Sequence, residues 1–133
     1  MLFVLDASVA AVWGLEDEDD TIADLAWARM GSGGAVTPAI WWFEVRNVLL
    51  INERRGRISE RDGAIFLRAL ERMNVEVDHA PAGDSVLSLA RRHRLTVYDS
   101  AYLELALRRD LPLATLDKQL AAAAKREAVH LID

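Results

Sequence analysis

Short apolar runs alternate along the chain with longer stretches in which apolar residues recur every three or four positions. Residues 2–5 form a continuous apolar run that stops at Asp6, which is typical of a strand buried on both faces of a sheet. Further strands are predicted over residues 35–37, 75–78, 111–116 and 129–132. The 3.6-residue period predicts helices over residues 10–15, 22–30, 38–55, 60–73, 84–94, 99–109 and 118–127.

Polar residues at the predicted helix starts indicate how these helices begin. Ser8 is expected to cap the first helix, and Ser59 the fourth. Thr37 is expected as the N-cap of the long third helix, with Pro38 at its first helical position, where the missing N–H is not needed. Residues 95–98 form too short a segment to assign.

The alternation of strands and helices predicts the fold class. No repeat, low-complexity tract or Pro/Gly/Ser-rich linker divides the chain. Strands separated by helices pair in parallel, and the helices then cover both faces of the sheet. We therefore predict a single domain over residues 1–133, an α/β fold in which a central, mostly parallel sheet lies between two layers of helices.

Composition narrows the class of protein further. The chain has 133 residues, of which 52% are hydrophobic and 28% charged, and this mixture is typical of a folded domain. The absence of cysteine excludes disulfides, a cysteine nucleophile and thiolate metal sites. No apolar run approaches the roughly 20 residues of a membrane span, and no basic leader precedes the first strand. We therefore expect a soluble, cytoplasmic protein.

The net charge of −5 is unevenly distributed. Residues 1–30 carry a net charge of −6, which leaves +1 on residues 31–133. Arginine recognises phosphate through its planar fork of donors, and several arginines cluster in and after the third predicted helix. They are candidate contacts to nucleic-acid phosphates, although a solvated helix surface explains them equally well; the candidates are Arg46, Arg54, Arg55 and Arg57.

Four acidic residues lie in apolar surroundings, where a charge needs an explanation. Asp6 and Asp117 each follow an apolar strand, at the sheet edge where ligand crevices form in open α/β folds. Glu44 lies within an apolar helical segment, and Asp99 lies at a predicted helix start. Asp99 and Asp117 also suit N-caps, and for each taken alone that is the commoner role. Glu44 has no such role and needs a partner, either a neighbour such as Arg46 or a group outside the chain.

Convergence of these four carboxylates at one sheet edge predicts a divalent metal ion. Their mutual repulsion would raise their pKa values and disfavour folding unless a cation neutralised them. Oxygen ligands select hard ions, here Mg²⁺ or Mn²⁺. Nearby hydroxyls are candidates to support the ligands; these are Ser8, Thr115 and Ser100. The three histidines lack the spacing of a metal site and are expected not to be ligands; these are His79, His93 and His130.

The acidic residues occur in motifs that resemble those of a known family. Asp6 begins the segment DAS after the first strand, and Glu44 lies in a long early helix. Residues 98–106 read YDSAYLELA, and residues 111–117 read LPLATLD. In order, spacing and context these motifs resemble those of PIN-domain ribonucleases, and particularly those of VapC-type toxins of bacterial toxin–antitoxin pairs. The resemblance covers nearly the whole chain.

The resemblance implies an endoribonuclease in which the four carboxylates bind one or two Mg²⁺ or Mn²⁺ ions. Ser8 and Thr115 would support them, and residues 95–98 would form a loop between helices; Asp117 is the most variable position among such proteins. Such a site suits phosphodiester hydrolysis, because the metal activates water and offsets charge developing on the phosphate. Asp99 is a candidate to orient the attacking water. The resemblance also implies an RNA substrate, an antitoxin helix in an apolar groove and a homodimer.

Other functions share part of this pattern. A housekeeping RNA-processing nuclease would have every motif, and a catalytically inactive module of the same fold would have to keep four acids without a metal. A phosphoacceptor receiver-like signalling domain has a similar length and acidic strand ends, but it needs a lysine at the end of a late strand, whereas Lys118 follows an aspartate. A serine hydrolase is disfavoured because no G-x-S-x-G motif occurs.

Overall fold

A computed structural model describes residues 1–15 and 18–133. Over these residues the chain forms four strands, which are β1 (Phe3–Leu5), β2 (Ala35–Pro38), β3 (Val75–Asp78) and β4 (Leu113–Ala114). It also forms seven helices, which are α1 (Ala7–Trp13), α2 (Thr21–Met30), α3 (Ile40–Arg54), α4 (Glu60–Glu71), α5 (Gly83–His93), α6 (Val97–Arg109) and α7 (Lys118–Arg126). Two of the acids between the first two predicted helices, at positions 16 and 17, lie outside the described residues.

The strands form one parallel sheet in the order β3-β2-β1-β4. The chain moves outward from β1 to β2 to β3 and then crosses back to β4 on the other side of β1. Because such crossovers are right-handed, the reversal places α1 to α4 on one face of the sheet and α5 and α6 on the other. Helix α7 packs against α6. The predicted fold class is therefore confirmed.

Strands β1, β2 and β4 are buried, as the apolar run at the start of the chain predicts for β1, whereas the edge strand β3 is only partly buried. Phe3, Val4 and Leu5 are fully buried, and α6 lies across β1 and β2. Burying each of these side chains stabilises the fold by about 1.5–3 kcal/mol. None of the described helices is both long and apolar enough to cross a membrane.

The predicted start of the third helix is wrong. Thr37 and Pro38 belong to β2, where Pro38 pairs with Asp78 of β3, and α3 begins after Ala39. The local signal of a threonine followed by a proline is overridden here because the ladder with β3 continues to the end of β2. The prediction for Ser59 is confirmed, because its hydroxyl accepts the backbone N–H of Asp62 at 3.0 Å.

The strands near the end of the chain are shorter than predicted. β4 has only two residues, because Pro112 has no N–H to donate and Thr115 turns toward Asp6. Residues 129–132 do not form a strand. They make a single parallel bridge between Leu131 and Leu113.

An ion-pair network joins α6 to β3. Glu104 is 2% exposed, and its carboxylate accepts hydrogen bonds from Arg108 at 2.8 and 3.2 Å. Arg108 also donates to both oxygens of Asp78, and these hydrogen bonds are the main reason why the pKa of Asp78 is lowered. Arg109, the next residue, pairs with the exposed Glu76. Arg108 is therefore the counter-charge of a buried carboxylate.

We predict that Arg108→Met lowers the free energy of unfolding by about 3 kcal/mol, because it leaves the Glu104 carboxylate buried without a partner. The matched change Arg109→Met removes the exposed pair with Glu76 and a 3.5 Å pair with Asp78, but Asp78 keeps Arg108, so the change should cost less than about 1 kcal/mol. Urea denaturation at pH 7 measures both. Adding Glu104→Gln to Arg108→Met should recover part of the loss. Equal costs for the two arginine variants would contradict this account.

Candidate functional site

The site lies at the carboxyl ends of β1 and β4. These neighbouring strands lead into helices on opposite faces of the sheet, and in open α/β sheets a crevice forms at such a point. Asp6 directly follows β1, and its backbone N–H donates to the carbonyl of Ala114 at 3.0 Å. Asp117 follows β4 three residues later. The fold thus brings the first and last candidate acids to one edge, as the sequence predicts.

Two hydroxyls bind the buried Asp6 carboxylate. Ser8 Oγ donates to Asp6 Oδ2 at 2.7 Å, and Thr115 Oγ1 donates to the same oxygen at 2.6 Å. Each hydroxyl also accepts a backbone N–H, Ser8 from Leu116 and Thr115 from Asp117, both at 3.0 Å. These accepted bonds direct both hydroxyl protons toward Asp6. Because they share Oδ2, neither hydroxyl occupies Oδ1.

Ser8 therefore does not cap α1, contrary to the prediction. It lies inside the helix, and Asp6 holds the N-cap position without a capping hydrogen bond from its side chain. The Asp6 carboxylate instead accepts hydrogen bonds from the Ser8 and Thr115 hydroxyls. Ser8 and Thr115 thus contact the acid that the sequence associates with them.

The environment of Asp6 opposes its charge. Asp6 is 5% exposed, and burial is the largest influence, raising the pKa of its carboxyl group above the ordinary value. The hydrogen bonds from Thr115 and Ser8 act in the opposite direction, whereas the charge of Asp117 raises the pKa further.

Glu44 is half-buried on α3, and its hydrogen-bond partner is Tyr102 of α6. The tyrosine hydroxyl donates to Glu44 Oε1 at 2.6 Å. Burial raises the pKa of Glu44, the Tyr102 hydrogen bond lowers it, and the charges of Asp6 and Asp99 raise it again. The pKa of Tyr102 is also raised, chiefly by burial, so the hydroxyl stays protonated and remains the donor.

Tyr102 is the residue that the sequence reasoning missed as a functional contact. The available signal was a tyrosine on an apolar helix, since a buried tyrosine usually has a partner for its hydroxyl. The predicted neighbour Arg46 does not bind Glu44. Arg46 instead donates to the Trp42 carbonyl at 3.0 Å, lies 3.5 Å from the centre of the Trp42 ring and pairs with Glu71 at 3.3 Å.

Asp99 lies in the first turn of α6 and is half-buried. The N-cap of this helix is Thr96, whose hydroxyl accepts the Asp99 N–H at 3.1 Å. The capping role considered for Asp99 is therefore wrong. Burial raises the pKa of Asp99, and the charges of Asp117 and Asp6 raise it further.

Asp117 does cap a helix, because its Oδ1 accepts the Leu120 N–H at 3.0 Å at the start of α7. That bond uses one carboxylate oxygen. Capping and a role in the acidic site are thus compatible at this position. At Asp6 and Glu44, too, the hydrogen bonds from side-chain hydroxyls reach only one of the two oxygens of each carboxylate.

The four carboxylates form one electrostatic cluster without a counter-charge. Each of Asp6, Glu44 and Asp99 has its pKa raised in part by another member. Among residues 1–15 and 18–133, no arginine, lysine or histidine forms a salt bridge with any of the four. The oxygen donors suit a hard divalent cation. As now oriented, however, no three acidic or histidine side chains in this part of the chain are grouped to hold a metal ion, so a complete ligand shell requires side-chain rotation.

Other predicted contacts lie outside this cluster. Ser100 is buried, and its hydroxyl donates to the Val86 carbonyl at 2.6 Å, joining α6 to α5 and not reaching the acids. Arg57 pairs with Glu18 at 2.7 Å. Arg54 and Arg55 are exposed at the end of α3, and neither forms a salt bridge with a described residue.

The histidines are also accounted for without a metal. His93 lies against Glu127, with 2.7 Å between its Nε2 and the carboxylate. His79 and His130 are exposed. None of the three belongs to a group that could hold a metal among the described residues.

Comparison with known structures identifies several proteins with this fold. The crystal structure of PAE2754 from Pyrobaculum aerophilum superimposes with a TM-score of 0.75 at 23% identity, covering 99% of this chain and 84% of that one. FitAcB from Neisseria gonorrhoeae gives 0.66 at 17% identity, covering 100% and 97%. VapC20 of Mycobacterium tuberculosis, a toxin that cleaves the sarcin-ricin loop, gives 0.61 at 16% identity, covering 92% and 95%.

Sequence comparison goes beyond the fold. Ribonuclease VapC3 of Pyrobaculum aerophilum is 32% identical over 125 residues, which cover 91% of this chain and 93% of that protein. The PIN domain family model matches residues 3–126, a stretch that includes all four strands and all four clustered acids. On this match, and on the relationship to VapC3, the chain belongs to the PIN domain family.

Proposed function

We propose that this protein is a Mg²⁺- or Mn²⁺-dependent endoribonuclease that hydrolyses RNA phosphodiesters and acts as the toxin of a type II toxin–antitoxin system. The observation that carries the proposal is the cluster of four carboxylates, free of any salt bridge to a described residue, at the carboxyl edge of the sheet. The relationship to Ribonuclease VapC3 supports RNA as the substrate. Family membership leaves the receiver-like alternative without support.

Asp6, Glu44, Asp99 and Asp117 would hold the metal. The oxygens that accept no hydrogen bond from the hydroxyls or from the α7 cap are Asp6 Oδ1, Glu44 Oε2 and Asp117 Oδ2. These oxygens are the natural ligands, because coordination through them breaks none of those bonds. When bound, a divalent ion acidifies water and offsets negative charge on the phosphate.

The protein side chains would divide the remaining tasks. Ser8 and Thr115 would fix the Asp6 carboxylate in one orientation. The Thr96 side chain forms a hydrogen bond with the Asp99 carboxylate, and we assign Asp99 the orientation of the attacking water. A carboxylate in this position would accept a proton from that water.

The proposal includes macromolecular partners. Arg54 and Arg55 are exposed and suit contacts with RNA phosphates, whereas Arg46 and Arg57 are already engaged in intramolecular contacts. A cognate antitoxin is expected to place a helix in an apolar groove of the protein and a basic side chain in the acidic cluster. We also propose that the protein forms a homodimer.

We predict that the purified protein cleaves single-stranded RNA in Mg²⁺ or Mn²⁺ and not in EDTA. Asp6→Asn and Asp99→Asn should each lower the cleavage rate by more than about 100-fold, because each removes a negative oxygen that the ion requires. The rate of cleavage of a labelled oligonucleotide measures this. The exposed Asp84→Asn is the matched control and should be fully active. Cleavage that persists in EDTA and in both site variants would contradict the proposal.

We predict that Asp99→Asn stabilises the metal-free protein. The folded-state pKa of Asp99 is raised, so the folded chain binds more protons than the unfolded chain between the two pKa values, and stability falls as pH rises through that interval. In EDTA the variant should therefore melt a few degrees above wild type at pH 7, and the difference should vanish below about pH 4.

Thermal melts across this pH range, with and without Mn²⁺, measure the effect. Saturating Mn²⁺ should raise the melting temperature of wild type more than that of the variant, because ligand binding stabilises the folded state. Asp84→Asn serves as the exposed control. An Asp99→Asn protein that is less stable than wild type in EDTA at pH 7 would contradict the repulsion argument.

We predict that induced expression of the protein without an antitoxin arrests bacterial growth, and that Asp6→Asn abolishes the arrest at equal protein level. Growth curves and immunoblots measure this. Normal growth with active wild-type nuclease present would instead favour a housekeeping role in RNA processing, because such an enzyme would share the site but not the toxicity.

A further inference from the structure

The contact between Tyr102 and Glu44 joins two helices that are distant in the sequence. Tyr102 is fully buried on α6, and Glu44 is 58 positions away on α3. The hydroxyl donates to Oε1 of the carboxylate at 2.6 Å, which is a short distance typical of a hydrogen bond to a charged acceptor.

Tyr102 is the side chain that fixes the Glu44 carboxylate. Among the described residues, Glu44 forms no salt bridge and accepts a hydrogen bond from no other side chain. Arg46, the cation closest to Glu44 in sequence, is held by Trp42 and Glu71. A glutamate has three side-chain torsions to order, so without the hydroxyl its carboxylate would turn away from its negative neighbours.

Which oxygen of Glu44 accepts the Tyr102 hydrogen bond matters for metal coordination. Tyr102 occupies Oε1 and leaves Oε2 without a hydrogen bond from a described side chain. The same arrangement occurs at Asp6, where hydroxyls bind one oxygen and leave the other. Partners that hold a metal ligand in one orientation raise the affinity of the site, because the ligand is ordered before the ion arrives.

We propose that Tyr102 is a positioning residue that restrains the Glu44 carboxylate and thereby strengthens the binding of a divalent cation. This inference rests on the proposed function, since it assumes that Glu44 is a metal ligand. Tyr102 acts through Glu44 and does not touch the ion.

The first test is the affinity for Mn²⁺, measured by titration calorimetry on the full chain. Tyr102→Phe keeps the buried ring and removes only the hydroxyl, and it should weaken Mn²⁺ binding by about 10–100-fold. Tyr98→Phe makes the same chemical change on the same helix at an exposed tyrosine whose hydroxyl has no hydrogen bond among the described residues, and it should bind Mn²⁺ like wild type.

A double-mutant cycle separates positioning from a general structural effect. Glu44→Ala removes the proposed ligand, and adding Tyr102→Phe to it should then have no further effect on Mn²⁺ affinity. If Tyr102→Phe weakens binding equally in both backgrounds, Tyr102 does not act through Glu44 and the inference is overturned. An unchanged affinity in Tyr102→Phe also overturns it.

The same measurements keep this inference distinct from the proposed function. If wild type does not bind Mn²⁺, the proposed function and the inference fail together; if wild type binds Mn²⁺ and Tyr102→Phe binds equally well, only the inference fails.

Near-UV circular dichroism checks that the variant is folded. Should Tyr102→Phe not fold, Glu44→Asp addresses the same contact, because it withdraws the carboxylate from the hydroxyl by one methylene. It should weaken binding, and an affinity equal to wild type would overturn the inference.

Discussion

The site depends on how the carboxylate of Asp6, which is only 5% exposed, is held in a buried position. Burial is the largest influence on its pKa and opposes its charge, the hydrogen bonds from Thr115 and Ser8 favour the charge, and the neighbouring Asp117 adds repulsion. The hydrophobic sheet supplies the stability that makes such a locally unfavourable arrangement possible, because Phe3, Val4 and Leu5 directly before Asp6 are fully buried. Among the described residues no cation pairs with these carboxylates, and the proposed chemistry depends on this deficit of positive charge.

The strand order explains why the cluster forms at this edge and only in the folded chain. Thr115 binds Asp6 across 109 positions of sequence, and it does so because β4 lies beside β1. The crossover from β3 back to β4 therefore completes the sheet and also brings Thr115 to Asp6. Asp117 is carried along on the same segment, where one of its oxygens caps α7.

The sheet and the position of its acidic edge could largely be predicted from the sequence. An apolar run that ends at a charged residue indicates a buried strand, and the charged residue then lies at the carboxyl end of that strand. The parallel sheet and the proximity of Asp6 and Asp117 follow from that pattern, whereas Glu44 and Asp99 lie on helices and reach the same edge through the packing of α3 and α6. Local capping rules were less reliable: the threonine and proline before α3 belong to β2, because pairing with β3 outweighs the local preference, and Thr96 caps α6 in place of Asp99. The partner of Glu44 was not predictable, because no local spacing connects it with Tyr102 58 positions away.

The negative charge of the site also bears on how such a protein would be controlled. The carboxylate cluster would repel the phosphates of an RNA, so a cation in the cluster would make the approach of a phosphate more favourable. A basic side chain from an antitoxin would satisfy the same charge deficit, but it would supply no acidified water. Activation by an ion and inhibition by a partner would then be alternative ways of neutralising one cluster, and each would exclude the other because both would require the same carboxylate oxygens.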